Sequence, residues 1–357
     1  MSSSILSAGA VARALSIRDL TDPAQGAHAM QRLIAECVAR LTTHWRCTAV
    51  IRRASPIVSI ADNYDRLGYP PDAVARDARY TRYVCDVAML RSQTSAMIPP
   101  LLGAHDDALL VCPGIVYRRD AIDRLHTGEP HQLDLWRVSS RPTSIEALET
   151  MIALVVETAL PGWDHRVVPA EHPYTTDGLQ IDVRGPGDRW IEIGECGRIH
   201  PALGRHGLAM GLGLDRLVML RKGLNDIRLL RATDSRISKQ MLDLSPYRAI
   251  SAQPAIRRDL SIVVAAETTA EDLGDRVRAA LKDRADAIEA IEVIAETPYA
   301  ELPSRARQRL AMTPAQKNVL LRVVLRELTR TLTHAEGNEL RNAIYAAVHQ
   351  GAVEEWA

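Results

Sequence analysis

The segment 179–230 constrains the fold more than any other part of the sequence. Two strand-like runs, LQIDVR and RWIEIGE, are separated by Gly-Pro-Gly, which is a hairpin signal. They are followed by GLAMGLGLDRLVMLRKGLNDIRLL, where glycines lie among small and apolar residues. Leu214 and Leu217 share one face at helical spacing, and Gly223 can end this helix. The segment therefore predicts antiparallel strands that lead into a helix, with glycines that let backbone come close to a ligand.

A second strand, HQLDLWRV at 131–138, carries polar residues in alternation. Gln132, Asp134 and Trp136 fall on one side of it. Polar side chains that point inward are costly unless a ligand or a metal meets them. With amphipathic helices predicted at 27–42 and 144–160, the pattern favours an α+β fold of antiparallel strands with helices outside them.

The last hundred residues have a pattern of their own. After 232–254, where periodicity is lost, the order is β-α-β-β-α, which is typical of a ferredoxin-like, split β-α-β domain. Thr268-x-x-Glu271 and Thr333-x-x-Glu336 are capping boxes that begin its helices. The sequence thus predicts an N-terminal helical segment 1–48, a mainly antiparallel domain 49–245 and a ferredoxin-like domain 250–357.

Composition excludes some classes of protein. The chain has 357 residues with 44 basic and 44 acidic side chains, so any nucleic-acid contact must come from a local basic patch. Five cysteines without a Cys-x-x-Cys pair indicate neither a disulfide framework nor a zinc site. No apolar run approaches the roughly 20 residues that span a bilayer. We therefore expect no membrane partner and a cytoplasmic location. The mitochondrial matrix is second, because the Ser- and Arg-bearing N-terminus has no acidic residue before Asp19.

Several of these pieces together resemble the class II aminoacyl-tRNA synthetases, and the phenylalanyl-tRNA synthetase family most of all. VYRRDAIDRLHTGEPHQLDLWRV is similar to the family's second signature, and GLAMGLGLDRLVMLRKGLNDIRLL to its third. RTLTHAEGNELRNAIYAAVHQG resembles the anticodon-binding, ferredoxin-like domain that ends the single-chain organellar enzymes. The resemblance runs from about residue 50 to the end in the family's order. It implies a class II antiparallel-sheet catalytic domain followed by an anticodon-binding domain.

The resemblance implies an aminoacyl-tRNA ligase. Such an enzyme uses ATP and Mg²⁺ to activate phenylalanine or a related aromatic amino acid as an aminoacyl-adenylate, and transfers it to tRNA. Arg118 corresponds to the arginine that holds the α-phosphate and the amino-acid carboxylate, which is a bidentate task. Arg216 corresponds to the arginine on the far phosphate. Asp120 and His126 match ATP-binding loop positions, and Glu192 is the candidate carboxylate for Mg²⁺–ATP.

The implied amino-acid pocket departs from the family's pattern. Its matching positions are Thr94, Ser95, Gln132, Asp134, His172, Tyr174, Glu195 and Ala209. Asp134 replaces a family Glu, Glu195 replaces a Gly, and His172 and Tyr174 replace two Phe. Because the chain contains no Phe at all, drift is one interpretation, since Tyr174 can stack as Phe does. The other is a changed substrate, because Glu195 and His172 would suit a ligand that bears a hydroxyl or an amine.

The expected partners are the amino-acid substrate and tRNA, bound through the C-terminal domain. That domain offers a possible phosphate-binding face in Arg305, Arg307, Arg309, Arg322, Arg326, Arg330 and Arg341. We expect a monomer or a homodimer with no obligate second subunit. Two alternative functions stay open. One is a paralogue that activates a different amino acid for a non-tRNA acceptor in a biosynthetic pathway, and the other is a catalytically inactive tRNA-binding or regulatory protein.

Overall fold

The computed structural model of the chain describes residues 5–78, 80–118, 123–249 and 253–352. The chain separates in space into two compact units. The first consists of Met1–Arg118, Glu129–Leu224 and Lys239–Tyr247, and the second of Arg119–Gly128, Asn225–Ser238 and Arg248–Ala357. The domain limits expected from the sequence remain a prediction, because proximity in space does not test which segments fold on their own.

The described residues of the first unit form helices and strands whose bounds are as follows. The helices are α1 (Ala8–Ser16), α2 (Ala29–Trp45), α3 (Ile60–Asn63), α4 (Pro99–Leu102), α5 (Ile145–Ala159) and α6 (Leu214–Lys222). The strands are β1 (Thr48–Ile51), β2 (Ile57–Ser59), β3 (Arg82–Cys85), β4 (Ala88–Leu90), β5 (Ala108–Ile115), β6 (His131–Ser139), β7 (His165–Pro169), β8 (Thr175–Arg184), β9 (Trp190–Ile199) and β10 (His206–Gly213). The two amphipathic helices predicted from the sequence are confirmed as α2 and α5.

A large sheet dominates this unit. Its strand order is β1-β5-β6-β10-β9-β8-β7. The β1–β5 pair is parallel and the other neighbouring pairs are antiparallel. A separate small sheet has the order β2-β4-β3. The predicted α+β class is confirmed, and the hairpin expected over 179–195 is the β8–β9 pair.

Helices and short segments cover the large sheet. Helix α2 contacts α5, α6 and β5, while α5 contacts β9 and α6 contacts β6. Trp136 and Ala209, from the neighbouring strands β6 and β10, pack in one cluster with Met97 and Ile98 of the segment that follows β4. This cluster is the apolar base of the face that carries the candidate site.

Two glycines lie near the two ends of the segment that contains β10 and α6. Gly207 has a φ of 145°, and a Cβ there would lie 2.0 Å from the carbonyl oxygen of Arg137. Gly223 ends α6 in the left-handed conformation, as the sequence predicts, with its N–H bonded to carbonyls of the last turn. These positions require glycine, so the strand can lie close to β6 and the helix can end at a defined residue.

The second unit contains its own sheet. Its helices are α7 (Ser235–Ser238), α8 (Ala270–Leu281), α9 (Ser304–Arg309) and α10 (His334–Val348), and its strands are β11 (Ile256–Ala265), β12 (Ile288–Pro298) and β13 (Gln316–Leu325). The strand order is β11-β13-β12, with both neighbouring pairs antiparallel. The parallel strands β11 and β12 therefore flank β13, which is the predicted split β-α-β arrangement.

One capping box lies where the sequence predicts it and the other is shifted by one residue. Thr333 and Glu336 cap α10 reciprocally, as expected. Helix α8 begins instead at Thr269, whose hydroxyl accepts from the N–H of Asp272 while the Asp272 carboxylate accepts from the Thr269 N–H. The Thr268–Glu271 prediction is wrong because an aspartate at the third helical position reaches back as well as a glutamate does.

Among the helices that the structure describes, none combines the length and the apolar character needed to cross a bilayer.

Candidate active site

The candidate site lies on one face of the large sheet, where two carboxylates flank a glycine. Asp134 on β6 is the register partner of Gly211 on β10, and Gly211 is in turn the partner of Glu195 on β9. Directly opposed residues of antiparallel strands project to the same face. A Cβ added at Gly211 would meet nothing within 4 Å. Gly211 is therefore the floor of an open space between two acidic side chains.

Asp134 is held by donors of the protein itself. Its carboxylate accepts hydrogen bonds from Thr94 Oγ1 at 2.6 Å, Ser95 Oγ at 2.8 Å and Trp136 Nε1 at 2.9 Å. The side chain is buried, and burial raises the pKa of its carboxyl while these three hydrogen bonds oppose the rise. Three of the predicted pocket residues are thus brought together, but the carboxylate is largely engaged before any ligand arrives.

Gln132 joins the same cluster. Its Oε1 accepts from the backbone N–H of Thr94 at 3.3 Å, and its register partners are Gly114 and Gly213. The strand β6 thereby presents Gln132 and Asp134 in the alternation that its sequence predicts. Hydrogen bonds from Thr94 and Ser95 fix the side chains of Gln132 and Asp134.

Glu195 forms an ion pair with His172. The distance from His172 Nε2 to Glu195 Oε2 is 2.8 Å, and the Glu195 side chain keeps 44% of its surface exposed. The hydrogen bond from His172 lowers the pKa of the Glu195 carboxyl, although partial burial acts against it. Glu195 is therefore an ionised carboxylate at neutral pH, fixed on one side and open on the other.

Aromatic rings close one end of the site. Tyr174 stacks on Trp136 with ring centroids 5.5 Å apart, and it also contacts His172 and Tyr69 at 5.7 Å and 6.3 Å. Ala209 is the register partner of Trp136 and is buried in the same cluster. The predicted residues His172, Tyr174 and Ala209 thus lie together, and Trp136 fills the space among them.

Arg118 lies near the acidic side chains of this face. Its Nε donates to the carbonyl oxygen of Ser92 at 2.9 Å, which anchors the guanidinium base. Its positive charge opposes the rise that burial causes in the pKa of Asp134 and Glu192, and contributes to the lowered pKa of Glu195. The arginine is therefore near three of the four carboxylates predicted for the site.

Arg216 and Glu192 are neighbours. Arg216, in the first turn of α6, donates from Nη1 to the backbone oxygen of Glu192 at 2.6 Å. Desolvation first, and then the charge of Glu195, raise the pKa of the Glu192 carboxyl, while Arg216 opposes the rise. A carboxylate in this situation gains from a bound cation, because the cation would relieve its electrostatic penalty.

The two adjacent residues at the start of α6 have different surroundings. Asp215 is buried in the core, and Arg216 lies beside Glu192 at the site. Asp215 is buried and accepts from the backbone N–H of His131 and from His131 Nδ1, the latter at 3.1 Å. The other ring nitrogen of His131 accepts from the N–H of Leu20 at 3.1 Å. This bridge fixes the start of β6 to the start of α6 and so orients Arg216 toward Glu192.

The sequence predicts two further ATP-binding residues, Asp120 and His126. Asp120 lies outside the described residues. His126 belongs to the second unit, where its Nδ1 lies 2.7 Å from the Asp123 carboxylate. The roles expected for both remain predictions.

The described residues contain no group of three or more His, Cys, Asp or Glu side chains arranged to hold a metal. Mg²⁺ commonly binds through one or two carboxylates together with substrate phosphates, so it does not need such a group. Glu192, whose carboxyl is destabilised in its charged form, fits that kind of binding. The magnesium prediction is compatible with this geometry and remains a prediction.

The predicted basic face of the second unit is partly used internally. Three of its arginines form ion pairs, Arg322 with Asp259, Arg326 with Glu289 and Arg330 with Glu336. Helix α9 carries Arg305, Arg307 and Arg309, and the Arg307 guanidinium lies 4.9 Å from the ring centroid of Tyr299. Within this unit, α9 is the element that concentrates arginines next to an aromatic ring.

Sequence reasoning did not select Gly211, Trp136 or Tyr69 as residues of the site. The signal for Trp136 was present, because alternation along β6 puts it on the side of Gln132 and Asp134. The role of Gly211 depends on the empty space beside it, and a pattern of residue types gives no information about empty space. Tyr69 lies in a loop, where periodicity gives no information.

Glu192→Gln should stabilise the protein at neutral pH. The folded protein raises the pKa of the Glu192 carboxyl above the ordinary value of 4.5. As the pH rises the unfolded chain therefore ionises first, so ionisation favours unfolding. Glutamine does not ionise, and we expect its urea midpoint to exceed that of the wild type at pH 7.

The difference should shrink as the pH falls toward 4.5, where neither state is fully ionised. Glu171→Gln, which changes an exposed carboxylate of the same unit, is the matched control and should leave the midpoint in place. A Glu192→Gln midpoint at or below that of the wild type at pH 7 would contradict this account of the site.

Comparison with protein families gives one match over most of the chain. The family described as tRNA synthetases class II core domain (F) matches residues 21–241. This range includes both strands that carry the acidic residues and the whole of α6.

The curated relatives match 50% of the chain. They include the phenylalanine–tRNA ligase alpha subunits of Streptococcus equi subsp. zooepidemicus, 32% identical over 204 residues, and of Gloeobacter violaceus, 32% identical over 199 residues. These matches cover 50% of this chain, and 58% and 59% of the two relatives. The chain thus spans less than two thirds of the length of the relatives that it matches.

The names of these relatives correct one expectation. Each is named as the alpha subunit of its ligase, that is, as one of its unlike chains. The prediction of a monomer or homodimer with no obligate second subunit is contradicted by this finding. The sequence suggested it because a ferredoxin-like domain follows the catalytic region in the same chain.

Two solved structures are also similar. Both are pyrrolysyl-tRNA synthetases of Desulfitobacterium hafniense. One is 18% identical with a TM-score of 0.43 and covers 57% of this chain and 73% of its own. The other is 17% identical with a TM-score of 0.46 and covers 62% and 77%.

Proposed function

Because the chain belongs to the family of class II tRNA synthetase core domains (F), we propose that it activates an amino acid with ATP and transfers it to tRNA. The observation that carries this proposal is that Arg118 and Arg216 lie near Glu192, which in turn lies near Glu195 beside the open floor at Gly211. Cations and a carboxylate next to a space for a ligand are what adenylate formation requires. The reaction builds negative charge on a phosphorus atom as the amino-acid carboxylate attacks.

Each residue has a proposed part. Arg118 holds the α-phosphate and the amino-acid carboxylate, and Arg216 holds the far phosphate of ATP. Bound Mg²⁺ would neutralise phosphate charge, and Glu192 is the residue that we propose to hold it. Asp120 and His126 keep their expected roles beside ATP. The assignment agrees with the charges of the site, where the two arginines lower the pKa of carboxyls that repel one another.

The amino-acid side of the site is the cluster around Asp134. Thr94, Ser95 and Gln132 are tied to one another through Asp134 and the backbone, so the cluster is pre-organised before a substrate binds. The names of the relatives make phenylalanine the reference substrate. The lining of this pocket supports a different class of amino-acid substrate.

We assign tRNA binding to the second unit, with α9 as its contact. Two exposed arginines, Arg305 and Arg309, and a half-buried Arg307 beside an aromatic ring suit a single-stranded region of RNA, where phosphates and bases are both accessible. Because the relatives are named alpha subunits, the proposal includes a second kind of subunit. The acting enzyme is then an assembly of unlike chains.

ATP–pyrophosphate exchange tests the proposed activation. The chain is isolated by an affinity tag from the cells that produce it, so that a second subunit stays in the sample. We expect a pool of the standard amino acids to stimulate exchange in the presence of Mg²⁺. Absence of any stimulation would contradict the proposal.

Transfer to tRNA is tested on the same sample. After incubation with ATP, total tRNA and the amino-acid pool, a charged tRNA resists oxidation of its 3′ end by periodate. We expect a protected fraction that depends on the protein. Exchange without protection would assign the activated amino acid to an acceptor other than tRNA, and would overturn the second half of the proposal.

A further inference from the structure

A substrate with a large side chain needs a recess in the face of the sheet. The recess beside Ala209 is already filled by side chains of the protein. Trp136 is fully buried, its indole N–H is bonded to Asp134, and its ring is stacked on Tyr174. Both rings pack in the cluster that contains Ala209, which has 1% of its surface exposed. Protein interiors are packed at crystal-like density, so a third ring could enter only if these two moved away.

The neighbouring small residue on β9 is covered as well. A Cβ at Gly197 would lie 2.7 Å from the Cβ of Thr175 and 2.9 Å from the carbonyl oxygen of Thr176, so β8 already occupies that side. Gly211 differs from both, because the space above it is open. The room for a ligand on this face is therefore next to Gly211 and outside the stacked rings.

The two carboxylates that flank Gly211 are unequally available. Asp134 is 2% exposed and already accepts three hydrogen bonds. Glu195 lies with Oε2 2.8 Å from His172 Nε2, and 44% of its side-chain surface stays exposed. A ligand that carries an ammonium group would find its accessible acceptor on Glu195.

We propose that the amino-acid site takes an amino acid with a short side chain, such as glycine, alanine or serine, whose ammonium group is bound by Glu195. This inference rests on the proposed function, since it names the substrate class of the same site. Glu195 projects from β9 to the same face of the sheet as Gly211, and its contact with His172 holds the carboxylate in place. Trp136 sets the limit of size, and Asp134 acts as a positioning residue that fixes Trp136, Thr94 and Ser95.

The substrate profile of the unmodified protein is the primary test. Exchange is measured with single amino acids from glycine to phenylalanine, on the sample isolated with its associated chains. We expect kcat/KM for the best short amino acid to exceed that for phenylalanine by about 100-fold. Equal or better exchange with phenylalanine would overturn the inference and leave the proposed function intact. No exchange with any amino acid would overturn both.

Trp136→Leu tests the limit of size. Replacing the indole with a smaller apolar side chain opens space beside Ala209, so the ratio of phenylalanine to alanine in kcat/KM should rise about tenfold or more. Trp190→Leu is the matched control, because Trp190 is a partly exposed tryptophan that stacks on Arg166 away from this cluster. An unchanged ratio in a folded Trp136→Leu protein would count against the proposed limit.

Glu195→Gln tests the ammonium contact. Loss of a charged hydrogen bond should raise KM for the amino acid by about 10- to 100-fold and leave KM for ATP unchanged. A merely structural role would change both constants or neither. Glu149→Gln serves as the control, since its carboxylate is exposed on helix α5.

Discussion

Arg216→Ala should lower the rate of amino-acid-dependent ATP–pyrophosphate exchange by about 10²- to 10³-fold, the usual effect of losing one group that stabilises charge in a transition state. The guanidinium emerges from the first turn of α6 and donates to the Glu192 backbone oxygen at 2.6 Å. It also opposes the rise in the pKa of Glu192 that desolvation and the charge of Glu195 cause. Without it, charge that develops on the phosphates would face Glu192 and Glu195 with one arginine fewer to oppose them.

The effect should fall on catalysis rather than on folding. One hydrogen bond to a backbone oxygen contributes about 1 kcal/mol to the free energy of unfolding, so the variant should remain folded at room temperature. Arg221→Ala is the matched control on the same helix, where Arg221 donates to the last carbonyls of α5 instead. We expect exchange by the control within about threefold of the wild type. Similar losses in both variants would indicate damage to α6 and would refute the role of Arg216.

Asp215→Ala should lower the free energy of unfolding of the first unit by about 3 kcal/mol, because it leaves buried donors without acceptors. Asp215 and His131 are both buried, and the carboxylate accepts from the backbone N–H and from Nδ1 of His131. His131 in turn accepts from Leu20, so the change weakens a chain of contacts that joins three separate segments. Its loss also frees α6, which carries Arg216.

Urea unfolding followed by tryptophan fluorescence reports mainly on the first unit, since four of the five tryptophans belong to it, namely Trp45, Trp136, Trp163 and Trp190. The midpoint should fall while the slope m stays constant. Asp164→Ala removes an exposed carboxylate that pairs with Arg184, and should change the free energy by less than about 0.5 kcal/mol. If the two variants unfold at the same urea concentration, the bridge does not have the importance given to it here.

The fold could be predicted where local signals agreed. The β8–β9 hairpin combined strand alternation with a Gly-Pro-Gly turn, and α6 combined helical spacing with Gly223, so each was found from its own segment. The β-α-β-β-α order likewise predicted the split arrangement of the second unit. The start of α8 was misplaced by one residue because two adjacent threonines are each followed by an acid at capping distance.

The site could be predicted only in part, because its contacts join distant segments. The resemblance supplied Arg118, Arg216 and Glu192, and alternation supplied the facing of Gln132 and Asp134. Neither the resemblance nor the alternation could predict the hydrogen bonds between His131 and Asp215, which are 84 residues apart. Nor could either of them tell that Trp136 and Tyr174 fill the recess beside Ala209, since alternation gives the face of a side chain and not the volume left beside it.

The departures from the family pattern become a connected set in three dimensions. Glu195, His172 and Tyr174 are in contact with one another or with Trp136. The proposal of a substrate with a short side chain takes these contacts as one connected change of the pocket, which is one of the two interpretations that the sequence left open.

The most direct test of the central claim, that this site forms an aminoacyl-adenylate, is the binding of stable adenylate analogues. Alanyl, seryl and phenylalanyl sulfamoyladenosine are titrated calorimetrically into the protein isolated with its associated chains. Intermediate-like analogues bind far more tightly than substrates at a site built for the reaction, so the account predicts at least one Kd about 100-fold below that of ATP. Binding of all three no tighter than AMP would contradict it.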